Sequence, residues 1–144
     1  MSLEDWSGIG KLVKHQTSKE EIEAIFGVVE RCFQDASLNG LSSDQKYILS
    51  YQAAFEAAAA LLYCHGYKPI KAGHHYIVWQ CVKELFDKNI RNMILLFENA
   101  AKKRSKLMYD FAGLASVQEA NEMYQESKDF VNRVKNEIMR MRKI

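Results

Sequence analysis

Apolar side chains recur along this chain at steps of three and four residues, the spacing of helices that bury one face. The first clear stripe is Ile22, Ile25, Phe26, Val29, Cys32, Phe33 and Ala36. It follows Thr17-Ser18-Lys19-Glu20-Glu21, where a Ser-x-x-Glu capping box satisfies the free N–H groups of a helix start, and it ends at Asn39-Gly40. Ser42-Ser43-Asp44 caps a second helix with the stripe Tyr47, Tyr51, Phe55, Ala58 and Leu62, closed by Gly66. The alanines 57–60 within it predict close approach of a neighbouring helix. Pro69 and Gly73 frame a loop, after which His75, Val78, Val82 and Leu85 face inward from a third helix until Asp87-Lys88-Asn89 breaks or kinks it. A fourth helix over about 90–109 places Ile90, Met93, Ile94, Phe97 and Ala101 in the core, then turns basic. Gly113 interrupts the pattern, Ser116-Val117-Gln118-Glu119 is a second capping box, and Val117, Ala120, Tyr124, Ser127, Val131, Val134, Ile138 and Met141 line a long last helix.

Five substantial helices with short connections, no strand-like alternation and no internal repeat predict an all-α, up-and-down bundle. At 144 residues the chain suits one domain, read as an N-terminal extension over 1–16 and a bundle over 17–144. The longest apolar run, 57–64, is far shorter than the roughly 20 residues of a membrane span, and the N-terminus is acidic where a signal peptide is basic then apolar. The expected location is the cytoplasm, with no membrane partner. Cys32, Cys64 and Cys81 are widely spaced within apolar helical patterns and read as reduced core thiols, neither a disulfide framework nor a zinc cluster. A net charge of +2 is too mild to announce nucleic-acid binding by itself.

Candidate chemistry gathers in two runs, Gly73-His74-His75-Tyr76 and the stretch from Lys102 to Asp110. Adjacent histidines on a helix point about 100° apart, so they do not chelate one metal as an i, i+4 pair does, and no metal or other cofactor is expected. One reading has one histidine packing or capping and the other solvated. The other uses their place at a helix N-terminus, where the dipole lowers a histidine's pKa and keeps it neutral. Lys102, Lys103, Arg104 and Lys106 bring several positive charges together to attract phosphates, or else form a solvated face that suits a helix C-terminus. Arg104 and Tyr109 are about 140° apart on an ideal helix, so they converge only if the helix unwinds near Asp110 or faces a symmetry mate. A purely structural network of Arg104, Tyr109 and Asp110 is a third reading, with Asp110 capping the last helix or pairing with Arg104.

Taken together, Gly66-Tyr67-Lys68, Gly73-His74-His75 and Lys103-Arg104-Ser105-Lys106-Leu107-Met108-Tyr109-Asp110 resemble the HEPN family, closest to its bacterial SAV_6107-like branch. The resemblance spans about 17 to the C-terminus, with Ser105 standing where the branch has Asn. It implies a helical bundle that forms homodimers, with Arg-centred motifs meeting in a basic cleft for RNA or a nucleotide. It also implies a metal-independent ribonuclease or toxin-type component, often partnered by a nucleotidyltransferase-type antitoxin, or alternatively a non-catalytic binding module for nucleotide, RNA or protein. In the family's ribonucleases an Arg and, four to six residues on, a His form the active centre; Tyr109 occupies the His position here. A tyrosine with a pKa of about 10 serves as acid or hydrogen-bond donor. The implied catalytic set is then Arg104 holding the phosphate, Tyr109 orienting or protonating, and His74 or His75 as base. Lys102, Lys103, Lys106 and Asp110 complete the implied phosphate-binding surface.

Overall fold

The computed structural model describes residues 1–71 and 74–141. Along them run α1 (Leu3–Gly8), β1 (Leu12–Lys14), α2 (Lys19–Ala36), α3 (Ser43–Cys64), β2 (Tyr67–Pro69), α4 (His74–Lys83), a 3-10 turn (Lys88–Ile90), α5 (Arg91–Tyr109) and α6 (Val117–Arg140). The architecture is all-α, as the hydrophobic spacing predicts. Helix starts fall where the sequence carries capping residues. Ser18, Ser42 and Ser116 each accept a hydrogen bond from the backbone N–H three residues on. At α6 the Glu119 carboxylate accepts from the Ser116 N–H in return, at 3.1 Å. Each such cap contributes roughly 1 kcal/mol by giving an otherwise orphaned donor its partner. Gly40 and Gly66 sit at φ +82° and +90°, a left-handed conformation that strains any residue with a Cβ, and so they turn the chain after α2 and α3.

α3 is the central helix, packed along both α2 and α6 and touching α4 and α5. Its Ala53, Ala54, Ala57, Ala58 and Ala60 are fully buried, because methyl side chains let neighbouring helices approach on more than one face. Between α4, α5 and α6 the core is aromatic. The Trp79 ring stacks on Phe97 at 4.9 Å, and Phe97 meets Phe130 edge-on at 5.1 Å. Each of these fully buried rings contributes about 2–3 kcal/mol of hydrophobic stabilisation. Cys32, Cys64 and Cys81 are buried and form no disulfide. None of the described helices is long and apolar enough to cross a membrane.

Several sequence expectations are corrected. β1 and β2 form an antiparallel ribbon with Leu12 opposite Pro69, Val13 opposite Lys68 and Lys14 opposite Tyr67. Strands this short display no alternation for a sequence reading to find. The ribbon carries Leu12 into the core. The N-terminal extension is not featureless, since Leu3–Gly8 forms a short helix boxed by Ser2 and Asp5. Val117, expected in the core, is 68% exposed, and the buried face of α6 begins at Ala120 and includes Met123 and Phe130. Spacing reveals which face of a helix is apolar but not where along its length a neighbour covers it. Gly73, assigned to a loop and to the Gly-His-His run, lies outside the described residues.

Candidate functional site

α4 delivers both histidines from its first turn. The His74 Nδ1 lies 2.9 Å from the carbonyl oxygen of Lys71, so this nitrogen carries a proton and donates it. Its ring stands 4.6 Å from that of His75 and 5.3 Å from that of Phe55. The His75 ring lies flat on Phe55, with centroids 3.9 Å apart and planes 16° from parallel. Its Nδ1 is 2.7 Å from the Tyr51 hydroxyl, which also accepts from the Trp79 indole N–H at 2.9 Å.

This chain of contacts determines which His75 nitrogen is protonated. Tyr51 is fully buried, and its hydroxyl proton needs an acceptor; only the His75 Nδ1 lone pair supplies one among the described residues. Tyr51 therefore donates to Nδ1, and neutral His75 carries its own proton on Nε2. Burial holds the His75 pKa down to about 4, assisted by the charges of His74 and Arg104. The direction agrees with the helix-terminus argument, but desolvation is the main cause. Burial also raises the Tyr51 pKa, while its bond from Trp79 and the Arg104 charge oppose the rise.

α5 brings Arg104 to the same side. Its charge acts on both Tyr51 and His75. Arg104 is half-buried, and its Nε is fully buried with no hydrogen-bond partner among the described residues. Lys103, by contrast, is engaged: its ammonium donates to Glu119 at 2.7 Å and stands 5.3 Å from the centre of the Tyr47 ring. Lys102 and Lys106 are exposed, with no ion pair among the described residues. α5 stays helical through Tyr109, so Tyr109 does not swing back towards Arg104 within one chain. It is 76% exposed.

The structure thus brings His74, His75 and Arg104 together around Tyr51 and Phe55, while Tyr109 and Asp110 make no contact with this cluster among the described residues and Lys103 is paired with Glu119. The structural network of Arg104, Tyr109 and Asp110 does not form. The Asp110 and Phe111 N–H groups bond to the Lys106 carbonyl, while Ser116 itself caps α6. Asp44 holds the α5–α6 connection, its carboxylate accepting from the Gly113 and Ala115 N–H groups at 2.6 and 3.0 Å. Tyr51 and Trp79 were missed as site residues. The available signal was that a tyrosine and a tryptophan in apolar stripes carry polar tips that need partners when buried.

Chemically, this is a donor site. It offers the Arg104 guanidinium, the Nε2–H of a neutral imidazole and the nearby Lys102 ammonium. His75 suits a general base poorly, since its free lone pair is occupied by Tyr51 and a pKa of about 4 makes it weak at neutral pH. Among the described residues no group of three His, Cys, Asp or Glu side chains gathers to hold a metal. The profile of the SAV_6107-like HEPN family matches residues 39–135, a stretch that contains α3, α4, α5 and most of α6. No curated protein matches the chain.

Proposed function

The chain belongs to the SAV_6107-like HEPN family, and from that premise we propose that it is an RNA-directed binding module whose Arg104 grips a backbone phosphate of a single strand. One observation carries the proposal: the buried Arg104 Nε, which has no partner among the described residues. Leaving a buried donor unpaired costs roughly 1–3 kcal/mol, and more when it is charged, so the half-buried Arg104 side chain gains by turning its guanidinium out to an anion supplied from outside. A phosphate accepts from guanidinium through two parallel N–H bonds, a fork that lysine lacks. Lys102 and Lys106 add long-range attraction, and His75 adds a neutral N–H donor whose charge state does not change around pH 7.

A second reading is a ribonuclease centre completed by a second copy of the chain. The 76% exposure of Tyr109 favours it, since that hydroxyl is presented outward while Arg104 faces the same chain's α3 and α4. The HEPN habit of dimerising supplies the second copy. In such a composite centre Tyr109 would protonate the leaving oxygen, and a toxin-type role with a nucleotidyltransferase-type antitoxin would belong to it. Incubating purified protein with single-stranded RNA without metal separates the two. Binding without strand scission, weakened between about tenfold and a hundredfold in Arg104→Ala, supports the binding module. Scission lost in both Arg104→Ala and Tyr109→Phe supports the composite ribonuclease, and absence of any RNA binding overturns both.

A further inference from the structure

Between α4 and α5, beside His75, lies a cavity of about 260 Å³ whose lining includes Tyr76, Trp79, Glu98, Lys102 and Ser105. We infer that it seats one unstacked nucleobase of the bound strand. The inference rests on the RNA reading above and adds to it the place where a base is held. The volume falls just below the roughly 300–1,000 Å³ of pockets that take drug-sized ligands, which suits one ring system and not a whole nucleotide. Trp79 belongs to the lining but is fully buried, with its ring stacked on Phe97, so stacking falls to Tyr76, whose ring is 61% exposed at the surface.

The polar groups match the edge of a flat heterocycle better than they match an anion. His75 contributes an Nε2–H, because its Nδ1 is taken by Tyr51. Ser105 contributes a hydroxyl that both donates and accepts. The Glu98 carboxylate disfavours a phosphate inside the cavity and is itself held by Lys83 at 2.5 Å and by Gln80 at 3.1 Å. The cationic groups left for the phosphate are Lys102, at the exposed edge of the lining, and Arg104, which is not part of it. Base and phosphate thereby receive separate seats, as in proteins that bind single strands by combining stacking platforms with a basic track.

The test compares two fluorescent oligoribonucleotides of equal length, one complete and one abasic, by anisotropy with the full chain. The complete strand is expected to bind wild type at least about fivefold more tightly, the lower range for one stacked base. Tyr76→Ala and Ser105→Leu, both at exposed positions, should bring that ratio close to one, the first by removing the stacking ring and the second by filling the cavity. A ratio that either variant leaves intact, or a wild-type ratio of one, overturns the base seat while leaving the phosphate grip standing, provided Arg104→Ala still weakens both strands. A nucleoside monophosphate that binds as tightly as the strand assigns the cavity to free nucleotides and also overturns it. If neither strand binds wild type, the RNA reading itself falls, and the base seat with it.

Discussion

Acid should destabilise this protein through His75. Its ring is held near a pKa of about 4 in the folded chain against an ordinary 6.5. Below pH 6.5 the unfolded chain takes up a proton that the folded chain refuses. The stabilisation from a neutral His75 is therefore complete above that pH, declines as pH falls towards 4, and is spent below it. At about 1.4 kcal/mol per pKa unit the gap sets a ceiling of about 3.5 kcal/mol, and partial solvent access to the ring lowers this to about 2 kcal/mol. Urea unfolding of wild type and His75→Gln at about pH 7 and pH 4.5 isolates the effect. The substitution weakens the protein at both pH values by disturbing Tyr51, but it removes the titrating group. Glu21, Glu119 and Glu137, whose carboxyl pKa values are lowered by hydrogen bonds, are common to both proteins and cancel in the comparison. Wild type should lose about 2 kcal/mol more than His75→Gln between the two pH values. Equal losses, or an NMR titration of His75 centred near its ordinary value, would refute the reasoning.

Three further outcomes follow from the same geometry. Tyr51→Phe orphans the buried Trp79 N–H and frees the His75 Nδ1, and should cost about 1–3 kcal/mol in thermal or urea unfolding; an unchanged midpoint would show that the relay carries no energy. Asp44→Ala releases two backbone donors of the α5–α6 connection, so amide exchange at Gly113 and Ala115 should accelerate while the α3 core stays protected. Lys102→Ala should weaken RNA binding more than Lys103→Ala, because Lys103 is paired with Glu119 and set over Tyr47; the reverse order would show that the paired lysine is the one RNA recruits.

Local signals in the sequence located the helices well. The serine caps at Ser18, Ser42 and Ser116 lie within a few residues of each helix start, and their physics needs no tertiary information. The stripe of α3 was read as one face, whereas the helix is buried nearly all round, because an alanine's small volume does not reveal how many neighbours approach it. The β1–β2 ribbon was invisible, since three-residue strands joined across more than fifty positions carry no local pattern. The runs containing His75 and Arg104 could be picked out by residue type and spacing. What could not be read was the pairing around them. Tyr51, Trp79 and His75 join only when α4 packs on α3, and whether Lys103 or Arg104 keeps a protein partner depends on where Glu119 and Tyr47 arrive.

The central claim is that Arg104, whose Nε has no partner among the described residues, holds a phosphate. Its most direct test is the salt dependence of single-stranded RNA affinity for wild type and Arg104→Ala, both shown to be folded. A lost phosphate contact should lower the slope of log affinity against log salt by about 0.7 and weaken binding at every salt concentration. Identical slopes and affinities for the two proteins would contradict the account.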